Sequence, residues 1–246
     1  ANPFQAYQAT RYIDTAIPHI PVTAHGLKEN GYATIATTNW LPYSWSVNNI
    51  AFAEVMHTAL SYFQAGRAEA GYKLLKSSVL DGMYLGDSPG NFGQISFYDA
   101  ARGECYRDFG DPIGVASRVL IQGLFGILPD ALNQQIILRP GFPDDWDKAS
   151  VSTPDISYRF TRKEDTDTYH ITQRFQTPLH PVLQINARKE KIRSVKVNGV
   201  PATWQSIESA HGYPLLSIQA EGTSSTTITI CLLYTSPSPR DMRRSR

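Results

Sequence analysis

Residues 123–146 read GLFGILPDALNQQIILRPGFPDDW, and the periodicity of the chain changes within this stretch. Before it, apolar residues recur at the three- to four-residue spacing of helices. After it come short β-type runs separated by Pro, Gly, Asp or Asn, the spacing typical of a β-sandwich. The sequence therefore predicts an α+β protein with helices in residues 1–130 and an antiparallel β-sandwich in residues 131–230.

The helical part contains four predicted helices, over residues 4–17, 47–65, 68–79 and 111–127. Gly66 is a plausible C-terminal cap, and so short a turn between the second and third helices predicts an antiparallel helical hairpin. Asp111-Pro112 is a strong helix start. Apolar residues go nearly all round the fourth helix, which predicts that it is deeply buried.

The β-type part is predicted to contain only strands and loops from Gln134 to Ile230. Asn198-Gly199 lies between two β-type runs and is the best hairpin signal in the chain. The helix before this part is expected to end near Pro129, because apolar residues at strand spacing follow it.

The last sixteen residues, CLLYTSPSPRDMRRSR (231–246), share neither the pattern nor the composition of the strand-like run before them. They resemble translated sequencing-adapter read-through from an assembled environmental sequence, so we expect an artefactual or disordered tail. A genuine basic tail for nucleic acid is the alternative. The stretch holds four Arg and one Asp, so without it the formal net charge changes from +1 to −2. No electrostatic case for nucleic acid then remains.

The chain begins Ala-Asn-Pro, without an initiator Met or a signal peptide, and is expected to be an internal fragment. No run approaches the roughly 18 apolar residues of a membrane span. Without the tail, Cys105 is the single cysteine, so neither a disulfide nor a zinc site is expected. No metal, nucleotide or thiol motif occurs, and we expect no cofactor and no metal.

Several positions around the change in periodicity carry a family resemblance: Gly123–Ile127, Pro129, Asp130, Ile136–Pro140, Pro143 and Trp146. They resemble the carboxyl end of six-hairpin (α/α)-toroid glycoside hydrolases, the α-L-rhamnosidase-like enzymes and their many bacterial relatives. The resemblance implies that residues 1–130 are the C-terminal part of a toroid catalytic domain. It also implies an oligosaccharide or polysaccharide substrate and a periplasmic or secreted protein.

The stretch Tyr98–Pro112, YDAARGECYRDFGDP, concentrates ionisable groups in a chain that is otherwise lightly charged. It is part of a predicted structureless loop of about 25 residues, DSPGNFGQISFYDAARGECYRDFGDP (87–112), in which Glu104 has a turn-like setting. Loops of such length are often functional, and loops of a toroid gather at one end of its helices. Glycoside hydrolysis needs a protonated carboxylic acid and a second carboxylate as base or nucleophile. Asp111 is better explained as a helix cap. The candidate catalytic residues are Glu104, Asp108 and Asp99.

A second stretch, TTNWLPYSWSVNN (residues 37–49), combines three aromatic residues with three amides. Flat rings cover the apolar face of a pyranose, and amides bind pairs of hydroxyl groups. We expect this stretch to lie beside the carboxylates, because both lead into a helix start. Glu54, in the next helix, is expected to pair with a neighbour and take no part. The candidate substrate-binding residues are Asn39, Trp40, Tyr43, Trp45, Asn48, Asn91, Tyr98, Arg102 and Arg107.

Two other functions stay open. A toroid-type polysaccharide lyase would use a Tyr base with Asn or Arg neutralising a uronate, roles open to Tyr43, Tyr98, Asn39 and Arg102. The many carboxylates would repel that substrate. A non-catalytic carbohydrate-binding protein would use exposed aromatic residues on the sandwich, of which the sequence offers few: Tyr158, Tyr169, Trp204 and Tyr213.

Overall fold

The structure, a computed structural model of the chain, describes residues 2–23, 27, 31–37, 49–85, 97–99, 104–106, 111–186, 191–209 and 215–233. The chain divides into two compact units. The first is Ala1–Gly126 with Gly141–Pro143, and the second is Ile127–Pro140 with Asp144–Arg246. The first is mainly helical and the second is built from strands. The fold is therefore α+β, as the change in periodicity predicts.

The described part of the first unit contains four α-helices and two small sheets. The helices are α1 (Pro3–Ala16), α2 (Phe52–Gln64), α3 (Ala68–Val79) and α4 (Asp111–Arg118). The π-helical segments Leu80–Leu85 and Val119–Leu124 directly follow α3 and α4. The strands are β1 (His19–Pro21), β2 (Ala33–Ile35), β3 (Asn49–Ala51), β4 (Phe97–Asp99) and β5 (Glu104–Tyr106).

Helices α2 and α3 form the predicted hairpin, and Gly66 caps α2. Its φ of 77° is in the left-handed region that favours glycine. The Gly66 N–H donates to the Phe63 carbonyl at 2.9 Å, and the Arg67 N–H donates to the Tyr62 carbonyl at 2.8 Å. This pair of bonds is a Schellman motif, which satisfies the last carbonyls of the helix.

Phe63 of α2 lies in a pocket walled by glycines. A Cβ built on Gly71 would come within 3.0 Å of its ring, a Cβ on Gly123 within 2.6 Å, and a Cβ on Gly141 closer still. Phe63 is only 5% exposed. The absence of three side chains is therefore what lets one aromatic ring fill the centre of this unit.

Two helix predictions need correction. The helix predicted from residue 47 begins only at Phe52, because Asn49–Ala51 pair with β4 as a strand. The fourth helix is not buried all round: Ile113 is 56% exposed and Leu120 is 43% exposed. Among the described residues, only its side facing α2 and α3 is covered, so an apolar circumference was not enough to predict burial.

The second unit contains two sheets. The strands are β6 (Ile127–Asp130), β7 (Gln135–Leu138), β8 (Lys148–Ser152), β9 (Ile156–Lys163), β10 (Thr166–Gln173), β11 (His180–Asn186), β12 (Lys191–Val197), β13 (Val200–Pro201), β14 (Gln205–Ile207), β15 (Leu215–Gln219) and β16 (Ser225–Leu233). One sheet has the order β13-β12-β16-β10-β9-β8, and the other has the order β14-β15-β11-β7-β6. Alternate residues are buried in strands of both, the pattern of sheets packed face to face.

The sheets agree with the predicted sandwich except in one pairing. β7 pairs with β11 in parallel, so the five-stranded sheet is mixed and not purely antiparallel. The described part of residues 134–230 contains only strands and loops, as predicted. Strand β6 begins at Ile127, and the preceding helical segment ends at Leu124, so the β structure starts earlier than Pro129. Asn198-Gly199 forms the predicted hairpin between β12 and β13.

The predicted boundary at residue 231 is also wrong by three residues. Strand β16 continues through Cys231, Leu232 and Leu233, which pair with β12. The side chain of Leu232 is completely buried. The run TTITICLL keeps its two-residue alternation past the change in composition, and this alternation decides which residues enter the core. Residues 234–246 lie outside the described part of the chain.

Within the described residues, no helix is long and apolar enough to cross a membrane.

Candidate functional site

Two of the predicted carboxylic residues lie in the small sheet β3-β4-β5. Asn49 of β3 faces Asp99 of β4, and Asp99 faces Glu104 of β5. The three residues therefore form one row across the sheet. Facing Cα atoms of an antiparallel pair are about 4.5–5.5 Å apart. Two candidate catalytic residues are thus neighbours, and the residue that ends the aromatic stretch is next to them.

A side-chain hydrogen bond joins the first residue of the aromatic stretch to strand β3. The Ala51 N–H donates to Oγ1 of Thr37 at 2.9 Å. Asn49, the last residue of the stretch, lies in the same strand. Thr37 is therefore held close to the strand that pairs with β4.

The small sheet is attached to the core of the first unit. Ile50 of β3 is completely buried, and so is Phe52 at the start of α2. β3 leads without a break into α2, the helix that packs against α3. Because the sheet is attached to the buried core, the backbone positions of this row are fixed, as the residues of a catalytic site require.

The structure describes three of the predicted site residues: Tyr98 and Asp99 in β4 and Glu104 in β5. The long loop was expected to be irregular, with Glu104 in a turn. That expectation was wrong, because the aromatic-rich runs Phe97–Asp99 and Glu104–Tyr106 pair as a hairpin. The remaining predicted site residues lie outside the described part of the chain: Asp108, Asn39, Trp40, Tyr43, Trp45, Asn48, Asn91, Arg102 and Arg107.

Asp81 is an acidic residue that the sequence reasoning missed. It lies in the π-helical segment Leu80–Leu85, directly after α3. Burial raises the pKa of its carboxyl group to about 6. π-Helical turns are frequent at functional sites. The available signal was an Asp placed immediately after the apolar stripe of a helix, where an ionised carboxylate is poorly hydrated.

Asp14, Tyr62 and Arg67 form a polar cluster in the first unit. The Tyr62 hydroxyl donates to one oxygen of the Asp14 carboxylate at 2.6 Å, and the Arg67 guanidinium donates to the other at 2.6 Å. Burial opposes ionisation of Asp14, but these bonds and the charge of Arg67 outweigh it and hold the pKa of Asp14 below its usual value. The guanidinium also lies over the Tyr62 ring, 4.8 Å from its centroid. Because α1 carries Asp14, the cluster fastens α1 to the α2–α3 hairpin.

Two of the aromatic residues that a carbohydrate-binding sandwich would need at its surface are buried. Tyr158 is 1% exposed and Tyr169 is 4% exposed, so neither is open to a ligand. Their rings stack on each other inside the core, 6.3 Å between centroids. Trp204 is 40% exposed, and Tyr213 lies outside the described residues.

Solved structures that are similar to part of this chain include two glycoside hydrolases. One is an α-L-rhamnosidase from Dictyoglumus thermophilum, with a TM-score of 0.48 and 13% identity over 73% of this chain and 21% of that one. The other is a GH127 β-L-arabinofuranosidase from Geobacillus stearothermophilus T6, with a TM-score of 0.31 and 10% identity over 76% of this chain and 33% of that one. The chain thus spans about a fifth and about a third of the lengths of these two glycoside hydrolases. No family model and no curated protein sequence matches the chain.

Proposed function

We propose that this chain is part of a glycoside hydrolase whose saccharide cleft is formed by the segments that leave the small sheet β3-β4-β5. The observation that carries the proposal is the row of Asn49, Asp99 and Glu104. It makes two candidate carboxylates neighbours at the point where the aromatic stretch ends. Separated stretches with complementary sugar-binding chemistry thus share one support.

Two carboxylic residues at facing positions of a strand pair suit acid–base catalysis. Where two carboxylates share a site, a state in which one group keeps its proton while the other is ionised is favoured. Glycoside hydrolysis uses such a pair: the protonated group gives its proton to the leaving oxygen, and the ionised group acts as base or nucleophile. We assign the proton donor to Glu104 and the ionised partner to Asp99. Asp108 is the alternative partner.

The aromatic stretch supplies the substrate-binding surface in this proposal. Trp40, Tyr43 and Trp45 would lie against the apolar faces of sugar rings, and Asn39 and Asn48 would bind hydroxyl groups. At one end of the stretch Thr37 accepts a hydrogen bond from the Ala51 N–H, and at the other end Asn49 pairs with Asp99. The remaining candidates, Asn91, Arg102 and Arg107, are proposed to complete the cleft.

The helices are proposed to be part of a toroid of helical hairpins, as the sequence resemblance implies. The α2–α3 hairpin is one such unit. In the complete protein, the other hairpins would close the ring and contribute to the cleft. A periplasmic or secreted location fits a substrate that is a polysaccharide.

The test is the turnover of the complete protein on methyl α-L-rhamnoside and methyl β-L-arabinofuranoside, whose alcohol leaving groups need a proton. Glu104→Gln and Asp99→Asn should each lower kcat by about 10²–10⁴, the range for acid–base assistance, with little change in KM. Glu54→Gln is the matched control, because Glu54 is exposed on α2 in the same unit and should keep full activity.

Near-normal turnover of Glu104→Gln would refute its role as proton donor. Cleavage of a uronate polymer with formation of an unsaturated product would identify a lyase and refute the proposed reaction.

A further inference from the structure

The second unit contains a cleft of about 320 Å³ at one end of its two sheets. One wall is the five-stranded sheet, where Gln135 of β7, His180 of β11 and Gln219 of β15 come from three adjacent strands. Adjacent strands are about 4.8 Å apart, so these polar residues span about 10 Å. Glu221 follows β15 at the rim. The volume is at the lower end of the range for small-molecule sites, which favours a small ligand.

The facing wall is aliphatic. Val197 of β12 and Val200 and Pro201 of β13 line it, on the hairpin turned by Asn198-Gly199. Both hairpin residues have positive φ, 49° and 81°, which fixes the turn. The cleft therefore offers a polar side and an apolar side across from each other.

The rim of the cleft is held by a buried glutamine. Gln173 is 3% exposed, and its Nε2 donates to the Leu179 carbonyl at 2.7 Å and to the Thr223 carbonyl at 2.9 Å. Its Oε1 accepts from the Leu179 N–H at 2.9 Å. One side chain thereby joins the segment before His180 to the segment after Glu221. Gly222 lies between them, where a Cβ would come within 2.8 Å of the Pro178 carbonyl oxygen.

A hydrogen bond from this rim determines which ring nitrogen of His180 carries the hydrogen. The Gly222 N–H donates to Nδ1 of His180 at 3.0 Å, so Nδ1 is the unprotonated nitrogen and Nε2 carries the hydrogen. The imidazole can then donate a hydrogen bond through Nε2. The carboxylate of Glu221, which is 3.7 Å from Nδ1, adds a hydrogen-bond acceptor at the rim of the cleft.

These features select a neutral, hydroxyl-rich ligand. The amides of Gln135 and Gln219 donate and accept at once, as neighbouring hydroxyl groups require. Among the lining groups, the carboxylate of Glu221 carries a formal negative charge, which disfavours an anion. Aliphatic side chains on the facing wall can cover the C–H face of a ring. We propose that this cleft binds a neutral saccharide of one or two rings, independently of the activity proposed for the first unit.

The test is a titration of the full ¹⁵N-labelled chain with methyl glucoside, methyl galactoside and methyl xyloside, followed by amide chemical shifts. The amide signals of Ala220 and Gly222 should move and saturate with a Kd of about 1 mM for at least one glycoside. Gln219→Ala removes one amide from the cleft and should weaken binding about 3–10-fold. Gln205→Ala is the matched control, since Gln205 is exposed on the neighbouring strand β14 and does not line the cleft.

A second variant, Gly222→Ala, would displace the rim from the Pro178 carbonyl and should weaken binding at least as much as Gln219→Ala. The proposal is overturned by the absence of saturable shifts at these amides up to about 100 mM glycoside. It is also overturned if glucuronate binds as tightly as the neutral glycosides, or if Gln205→Ala weakens binding as much as Gln219→Ala.

Discussion

Substitution of Gly123 by alanine probes the packing of the first unit most sharply. The added Cβ would come within 2.6 Å of Cδ2 and 3.2 Å of Cγ of Phe63, where carbon atoms prefer about 3.5–4.0 Å. The ring cannot turn aside, because Gly71 and Gly141 approach it from other directions. Gly123→Ala therefore forces either the ring or a helical segment to move.

The expected magnitude follows from two opposing terms. Alanine in place of glycine within a helix stabilises by about 0.5–1 kcal/mol. Overpacking of a filled core destabilises by about 1–3 kcal/mol. Gly114 in α4 isolates the first term, because a Cβ there would meet nothing within 4 Å. Gly114→Ala should raise the free energy of unfolding by about 0.5–1 kcal/mol, and Gly123→Ala should lie about 1–3 kcal/mol below it.

The assay is urea unfolding followed by circular dichroism in the helical region, with a thermal melt as a second measure. For a chain of this size, each kcal/mol corresponds to about 2–4 °C in Tm. The double variant Gly123→Ala/Phe63→Leu should recover part of the loss, because the shorter side chain makes room for the new methyl group. Equal stability of Gly123→Ala and Gly114→Ala would refute the proposed packing of Phe63.

Three further outcomes are expected. Asp81→Asn should raise the free energy of unfolding at pH 7 by about 1–3 kcal/mol. Because the pKa of Asp81 is raised, the stability of the unsubstituted protein falls as the pH rises from about 4 through 6. Urea unfolding between pH 4 and 8 checks this. Asp14→Ala should lower the free energy of unfolding by about 2–3 kcal/mol, because it leaves Arg67 and Tyr62 without their acceptor. Arg11→Ala should change it by less than about 0.5 kcal/mol, since the Arg11–Asp14 contact is 3.7 Å long and the Arg11 side chain is half exposed. Leu232→Ala should cost about 2–5 kcal/mol in a thermal melt, and removal of residues 234–246 should cost almost nothing; the reverse order would show that the core ends before Leu232.

Periodicity predicted most of the architecture. The α2–α3 hairpin and the strands after Ile127 follow from local patterns that each element keeps within its own residues. The errors occur where the structure of a segment depends on pairing with a segment that is distant in the sequence. Asn49–Ala51 continue the helical pattern of α2, yet they pair with β4, which is almost fifty residues away in sequence. The parallel pairing of β7 with β11 likewise depends on which strands meet, and no local signal specifies this.

The candidate site shows the same limit. Asp99 and Glu104 were selected because ionisable groups are concentrated in a long loop of a lightly charged chain, and because the family resemblance implies that such a loop lies at the cleft. Their facing positions in one hairpin required the register between β4 and β5. Asp81 was overlooked, since its raised pKa comes from burial by the folded chain and leaves little trace in the sequence around it.

The cleft in the second unit was hidden for a related reason. In the sequence, aromatic residues were the visible signal of a saccharide-binding surface, but Tyr158 and Tyr169 fill the core. Nothing in the local sequence marks the polar residues that line the cleft, Gln135, His180 and Gln219. They come together because β7, β11 and β15 are adjacent in the sheet.

The most direct test of the proposed catalytic pair is the dependence of turnover on the leaving group. The dinitrophenolate group of a dinitrophenyl glycoside leaves without being protonated. The alcohol released from a methyl glycoside or a disaccharide needs a proton from the general acid. In the complete protein, Glu104→Gln should lose about 10²–10⁴ in kcat/KM on the poor leaving group and less than about tenfold in kcat/KM on the dinitrophenyl glycoside. An equal loss on both substrates, or no loss on either, would contradict the assignment of Glu104 as the proton donor of a glycoside hydrolase.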